Sequence, residues 1–128
     1  MDDLTLGNNV DIAVETAYLP DQSDPESKRF VFSYHITITN RNEQPVQLLN
    51  RRWMIVDGNE QVQEVEGEGV VGEQPVIAPD ESYSYTSGTV LATSVGSMQG
   101  QYQMKADDGQ TFTAPITPFT LAKPNALH

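Results

Sequence analysis

The sequence predicts an all-β fold, an antiparallel β-sandwich of immunoglobulin or fibronectin type III style with about seven strands. Three observations carry this. Short segments of apolar and polar alternation recur with turn residues between them, and β-branched and aromatic residues dominate the clearest of these segments. No stretch of a dozen residues shows an apolar period of about 3.6, so no long amphipathic helix is expected. Trp53, the only tryptophan, stands on the third alternating segment, where such sandwiches bury one, although the cysteine pair of antibody domains is absent.

Residues 1–8 show no periodicity and are expected to form a flexible, frayed end. Val10, Ile12 and Val14 alternate with Asp11, Ala13 and Glu15, a half-buried first strand reaching Tyr18. Leu19 to Ser27 holds two prolines among turn-prone polar residues and is a loop. Phe30, Phe32, Tyr34, Ile36 and Ile38 then share one strand face, with Val31, Ser33, His35, Thr37 and Thr39 on the other. Val46 to Val56 is a third strand ending at Asp57-Gly58-Asn59, where Asp-Gly suits a tight hairpin turn. Gln61 to Glu66 returns as a polar, partly exposed strand. Pro75-Val76-Ile77-Ala78-Pro79 cannot sit within a central strand, because each proline lacks a ladder donor. Tyr83 to Leu91 alternates again, as do Met98, Gly100, Tyr102, Met104 and Ala106. Asp108-Gly109 is a second hairpin signal, and Thr111 to Leu121 pairs back through Phe112, Ala114 and Ile116.

At 128 residues the chain is expected to be a single domain, 1–128, with a core that needs no staples. Without cysteines it offers neither disulfides nor thiolate metal sites, and the absence of disulfides accords with a reducing cytoplasm. The acidic start Met1-Asp2-Asp3 and the absence of a long apolar run lead to the expectation of a soluble cytoplasmic protein without a signal peptide or membrane span. A net charge of −11 repels nucleic acid and anionic membrane surfaces. The charge is uneven: from Asp57 to Glu81 there are eight acidic residues and no basic one.

Within that acidic tract Gly67, Gly69 and Gly72 stand in the G-x-G-x-x-G spacing of phosphate-binding loops. A dinucleotide fingerprint needs the last glycine to open a helix, but Pro75 and Pro79 follow, and no acid stands about 20 residues on. A kinase-type loop needs a lysine on the next strand, and the first is Lys105; a P-loop needs G-K-[ST]. Glu64, Glu66, Glu68 and Glu73 surround the glycines with negative charge. The remaining readings are a crossover that uses positive φ and close backbone approach, or a loop serving a ligand or partner. Arg51 joins this question. If Trp53 and Ile55 face the core, alternation turns Arg51 inward, where it needs a carboxylate, a carbonyl or a ring. It is either a structural anchor or an anion-binding arginine beside the glycines.

Other constellations are weaker. Asp57, Asn59, Gln61 and Glu68 have calcium-loop spacing, but Val62 occupies the position that needs glycine, so a solvated acidic face is expected. His35 and His128, the only histidines, make no zinc site, and Ser33 beside His35 lacks an orienting third group. No catalytic residue, metal site or cofactor is therefore expected.

The segments Val46–Trp53, Asp57-Gly58-Asn59, Glu64-Val65, Gly67–Pro75, Tyr85–Gly88 and Gly96–Met104 together resemble the ApaG (also called CorD) family over residues 10–125. The chain departs from the family pattern at Glu60 and Asp80, where the family has glycines, and at Val95, where it has proline. The resemblance implies a fibronectin type III-like sandwich and, because related domains are appended to certain F-box proteins and to a polymerase delta-interacting protein, a binding module. It also implies an association with cobalt and magnesium resistance or efflux, and proximity of the gene to that of diadenosine tetraphosphatase. It supplies no catalytic residues. The family's glycine motif has prompted a phosphate-binding idea, which falls here on Gly67, Gly69 and Gly72. The expected function is a non-enzymatic module that binds another protein. The alternative is a binder of pyrophosphate or a nucleotide polyphosphate through the Gly67–Gly72 loop and Arg51.

Overall fold

The computed structural model describes residues 3–125, so His128 lies outside the described residues. Its elements are α1 (Asp3–Asn8), β1 (Val10–Tyr18), β2 (Phe30–Asn40), β3 (Val46–Asp57), β4 (Val62–Glu68), β5 (Val76–Ile77), β6 (Ser82–Leu91), β7 (Val95–Ala106) and β8 (Thr111–Ala122). One antiparallel sheet has the order β1-β2-β6 and the other β4-β3-β7-β8, with β5 added to β3. This is the expected sandwich with eight strands. The extra strand is the proline-flanked pair Val76 and Ile77, which reaches only Gln47 and Val46 at one end of β3.

Two local expectations are corrected. Of the end expected to fray over residues 1–8, residues 1 and 2 lie outside the described residues, and residues 3–8 form α1, which packs on β8. A six-residue helix does not hold itself together in water. This one is held by the fully buried Leu6 and by Asn42, whose Nδ2 donates to the Leu6 carbonyl at 3.1 Å. Asp57-Gly58 is not a two-residue turn. β3 and β4 are joined through residues 58–61, with positive φ at Glu60 (64°) and with Asp57 Oδ1 accepting from the amides of Asn59 (2.8 Å) and Gln61 (3.0 Å).

Alternation sets the layers. Phe32, Tyr34, Ile36 and Ile38 of β2 face Leu48, Trp53, Ile55, Tyr102, Met104 and Phe112 across one buried core. On the outer face of the smaller sheet, His35 Nδ1 meets Thr86 Oγ1 (2.7 Å), Thr37 meets Ser84 (3.0 Å) and Thr39 meets Ser82 (2.7 Å). Trp53 centres the core, with ring contacts to Tyr34 (5.5 Å), Phe119 (5.9 Å) and Tyr102 (6.4 Å). Tilted and edge-on ring pairs like these add about 0.5–1.5 kcal/mol each beyond area burial.

The two sheets are also joined by a buried hydrogen bond between the hydroxyls of Tyr85 on β6 and Tyr102 on β7. Burial pushes both phenols well above their ordinary range, against the lowering field of Arg51. A raised folded-state pKa gives stability that is complete below the unfolded value of about 10 and lost as pH climbs past it. Stability is therefore expected to fall steadily above about pH 10. Of the five tyrosines, Tyr85 and Tyr102 should ionise only as the chain unfolds, which phenolate absorbance followed alongside circular dichroism will show.

The sandwich has a closed and an open side. β1 and β8 lie against each other, with α1 packed on both. On the opposite side β4 and β6 are the outermost strands of their sheets, and no ladder joins them among the described residues.

Candidate functional site

The three motif glycines have separate structural reasons. Gly67 lies under the Arg51 guanidinium, where a side chain would come within 2.8–2.9 Å of it. Gly69 has φ of 61° and passes so close to the Glu73 carbonyl that a Cβ would sit 2.1 Å from its oxygen. Gly72 has φ of 83° at an open tip where a Cβ would touch nothing.

Between them the chain makes a miniature hairpin. The Val70 amide donates to the Glu73 carbonyl (2.8 Å) and the Glu73 amide to the Val70 carbonyl (2.9 Å), with Val71 and Gly72 at the tip. Both tip residues have positive φ, the type I′ arrangement that favours Asn-Gly. Val71 at 42° is a β-branched residue in a region such residues avoid. Val71→Asn is expected to raise stability by about 1 kcal/mol, read as a higher denaturant midpoint at unchanged slope.

Arg51 faces inward, as its alternation with Trp53 and Ile55 requires, and its partners are carbonyls. Nη1 donates to the oxygens of Gly69 (2.9 Å) and Glu68 (3.2 Å). The structure thus brings Arg51 together with Gly67 and Gly69 and sets Gly72 apart at the tip. Three loop amides are occupied too: Gly69 donates to the Leu49 carbonyl at 2.7 Å, and the amides of Val70 and Glu73 each donate to the other's carbonyl. The loop is tied to its surroundings by Gln74 Nε2 to the Leu49 carbonyl (2.9 Å) and by the Tyr83 hydroxyl to Glu73 (2.9 Å). Among the described residues no group of three or more His, Cys, Asp or Glu side chains converges.

The loop closes one end of the open side. There a cleft of about 420 Å³ runs between the sheets, with Tyr34, Trp53 and Ile55 beneath it and Arg51 at the glycine-loop end. Gln63 and Val65 line its β4 wall and Ser87 to Val90 its β6 wall. It continues past Val62 toward Leu91 and Ala92. Val62 and Val90 at its rim are 59% and 43% exposed. Trp53 is 1% exposed, and its indole Nε1 has no hydrogen-bond partner among the described residues. An unmatched buried donor costs about 1–3 kcal/mol, so this one is a standing demand for an acceptor. A second hollow, also about 420 Å³, lies on the outer face of the larger sheet by Asn50, Gln101 and Gln103. Two arginines line it: Arg52 is engaged by Glu66 (3.2 Å) and Glu64 (3.6 Å), and Arg51 by the Glu68 and Gly69 carbonyls.

Tyr34, Trp53 and Ile55 were legible as core residues and Arg51 as inward-facing, but the cleft walls on β4 and β6 were not singled out in the sequence. The only signal for those walls is the placement of Val62 and Val65 in an otherwise polar strand and of Val90 on a polar strand face.

The sequence profile of the ApaG domain matches residues 20–106. The chain belongs to the ApaG family. Among its relatives, the protein ApaG of Azotobacter vinelandii is 57% identical over 119 residues, covering 93% of this chain and 94% of that one. The ApaG of Pseudomonas aeruginosa is 58% identical over 121 residues, covering 94% and 96%. A crystal structure of an ApaA protein from Bordetella pertussis superposes with a TM-score of 0.89 at 46% identity, covering 91% of this chain and 94% of that one. Two of the chain's departures from the ApaG pattern, Glu60 and Asp80, have φ of 64° and 62°, so both occupy backbone positions that favour glycine.

Proposed function

We propose that this ApaG-family chain is a non-enzymatic interaction module that binds another protein through an open strand edge. The observation that carries this reading is the open side of the sandwich. Two strands there are paired on one side only and flank a cleft floored by core aromatics. Unpaired edges of this kind recruit extended segments by strand addition. The polyphosphate alternative is less well supported, because the amides of Gly69, Val70 and Glu73 and Arg51 Nη1 already bond within the chain. The link to cobalt and magnesium resistance rests on family membership, and we take the partner to belong to that response in the cytoplasm. No described helix is long and apolar enough to cross a membrane.

The test pairs two measurements. Immobilised chain should retain a cellular protein that a Val62→Lys/Val90→Lys chain releases, the exposed sites leaving the melting temperature unchanged. Amide shifts should stay silent at Gly67–Gly72 when pyrophosphate or diadenosine tetraphosphate is added to millimolar levels, with or without magnesium. Equal retention by both chains, or micromolar shifts confined to the glycines, would overturn the reading.

A further inference from the structure

Resting on that interaction reading, we propose that the open side takes an extended, Lys/Arg-bearing segment of a partner, laid between β4 and β6. Three observations point to this occupant. Both strands bounding the cleft lack a neighbour on the cleft side, and only an extended backbone supplies the alternating donors and acceptors that such edges need. Trp53, which lines the cleft, holds a buried indole N–H with no acceptor among the described residues, and an extended backbone brings carbonyls.

The third observation is charge. β4 carries Glu64, Glu66 and Glu68, and β6 from Ser82 to Leu91 has no charged residue at all. Arg52 reaches Glu64 and Glu66, while Glu68 has no ion-pair partner among the described residues. Pairing β4 with β4 of a second copy would set acid against acid, and the neutral β6 of a second copy would offer those glutamates no cation. A strand with outward lysines or arginines every second residue would place its cations over those glutamates while its alternate apolar side chains enter the cleft. On the opposite side β1 and β8 are edge strands too, but they lie against each other with α1 packed on both. The hollow there, lined by Val10 to Ala13, Thr37, Thr39, Pro115 and Thr117, has neither an aromatic floor nor a row of glutamates.

The test uses the full-length chain, labelled with nitrogen-15, and capped ten-residue peptides. An alternating Lys-Val peptide is expected to move the Trp53 indole resonance downfield and to shift amides of Val62–Glu68 and Ser82–Leu91 at submillimolar concentration. A Glu-Val peptide should leave them unmoved. A Lys-Gly peptide of equal charge should bind at least fivefold more weakly, as should Lys-Val to a Glu64→Gln/Glu66→Gln/Glu68→Gln chain. Equal binding by Lys-Gly, which would make the attraction charge alone, overturns the proposal, as do shifts on the β1–β8 side or none at all. If a cellular partner is retained while the Lys-Val peptide is inert, this assignment falls and the interaction reading stands.

Discussion

Gly69→Ala is expected to cost about 3 kcal/mol of folding stability, from about 1–2 kcal/mol for the left-handed backbone and a similar amount for overpacking. The first contribution follows from φ of 61°, the second from a Cβ position 2.1 Å from the Glu73 carbonyl oxygen, a backbone atom that the Val70–Glu73 hydrogen bonds hold in place. The neighbouring glycines set a graded control. Gly72→Ala meets open space, so its cost should be confined to the backbone, about 1 kcal/mol. Gly67→Ala collides with the end of a flexible arginine, which can move away and give up its bonds to the Glu68 and Gly69 carbonyls. Denaturant unfolding of the three variants should rank Gly69 first by a clear margin. Three equal small losses would mean that the glycines are not retained for the backbone reasons given.

Asn40→Leu is expected to cost about 3–4 kcal/mol, the sum of three buried groups left unpaired. Asn40 has no solvent exposure, and its Nδ2 donates to the carbonyls of Gln44 (2.8 Å) and Ile77 (2.9 Å). Its Oδ1 accepts from the Asn42 amide (2.9 Å), and Asn42 reaches Leu6 in turn. One side chain thus ties the end of β2 and the β2–β3 turn to β5, and through Asn42 to α1. Asn40→Asp adds a pH signature. A carboxylate facing two carbonyls titrates above its unfolded value of about 3.9, so its penalty grows as pH rises past that point. The deficit relative to the parent chain should be larger at pH 7 than at pH 3.5, measured by urea unfolding at both.

The strands were legible because they are local. Alternation from Phe30 to Thr39, and from Met98 to Ala106, reports which face is buried without knowledge of the partner strand. The same alternation turned Arg51 inward and required a partner for it, though not which one. α1 was illegible because its stability comes from Leu6 meeting β8 and Asn42, both remote in sequence. The hairpin at Val70–Glu73 was hidden because valine is a poor choice for a positive-φ position. The glycine spacing looks like a nucleotide motif, yet Gly69 and Gly72 answer to backbone conformation and Gly67 to the Arg51 guanidinium above it. The cleft was illegible for a different cause: it arises from which strands end up outermost, a property of the sheet order and of no single segment. Its floor of Tyr34, Trp53 and Ile55 was visible in advance, as core residues, and the unmatched N–H of Trp53 appears once its neighbours are placed.

The most direct measurement of the central claim is amide hydrogen exchange along β4 and β6, with and without a bound partner. In the free chain the amides on the open edges of these strands should exchange rapidly. With partner bound, protection confined to Val62–Glu68 and Ser82–Leu91 is the expected result. Protection that appears instead along β1 and β8, or on the outer face of either sheet, would contradict a binding surface between β4 and β6.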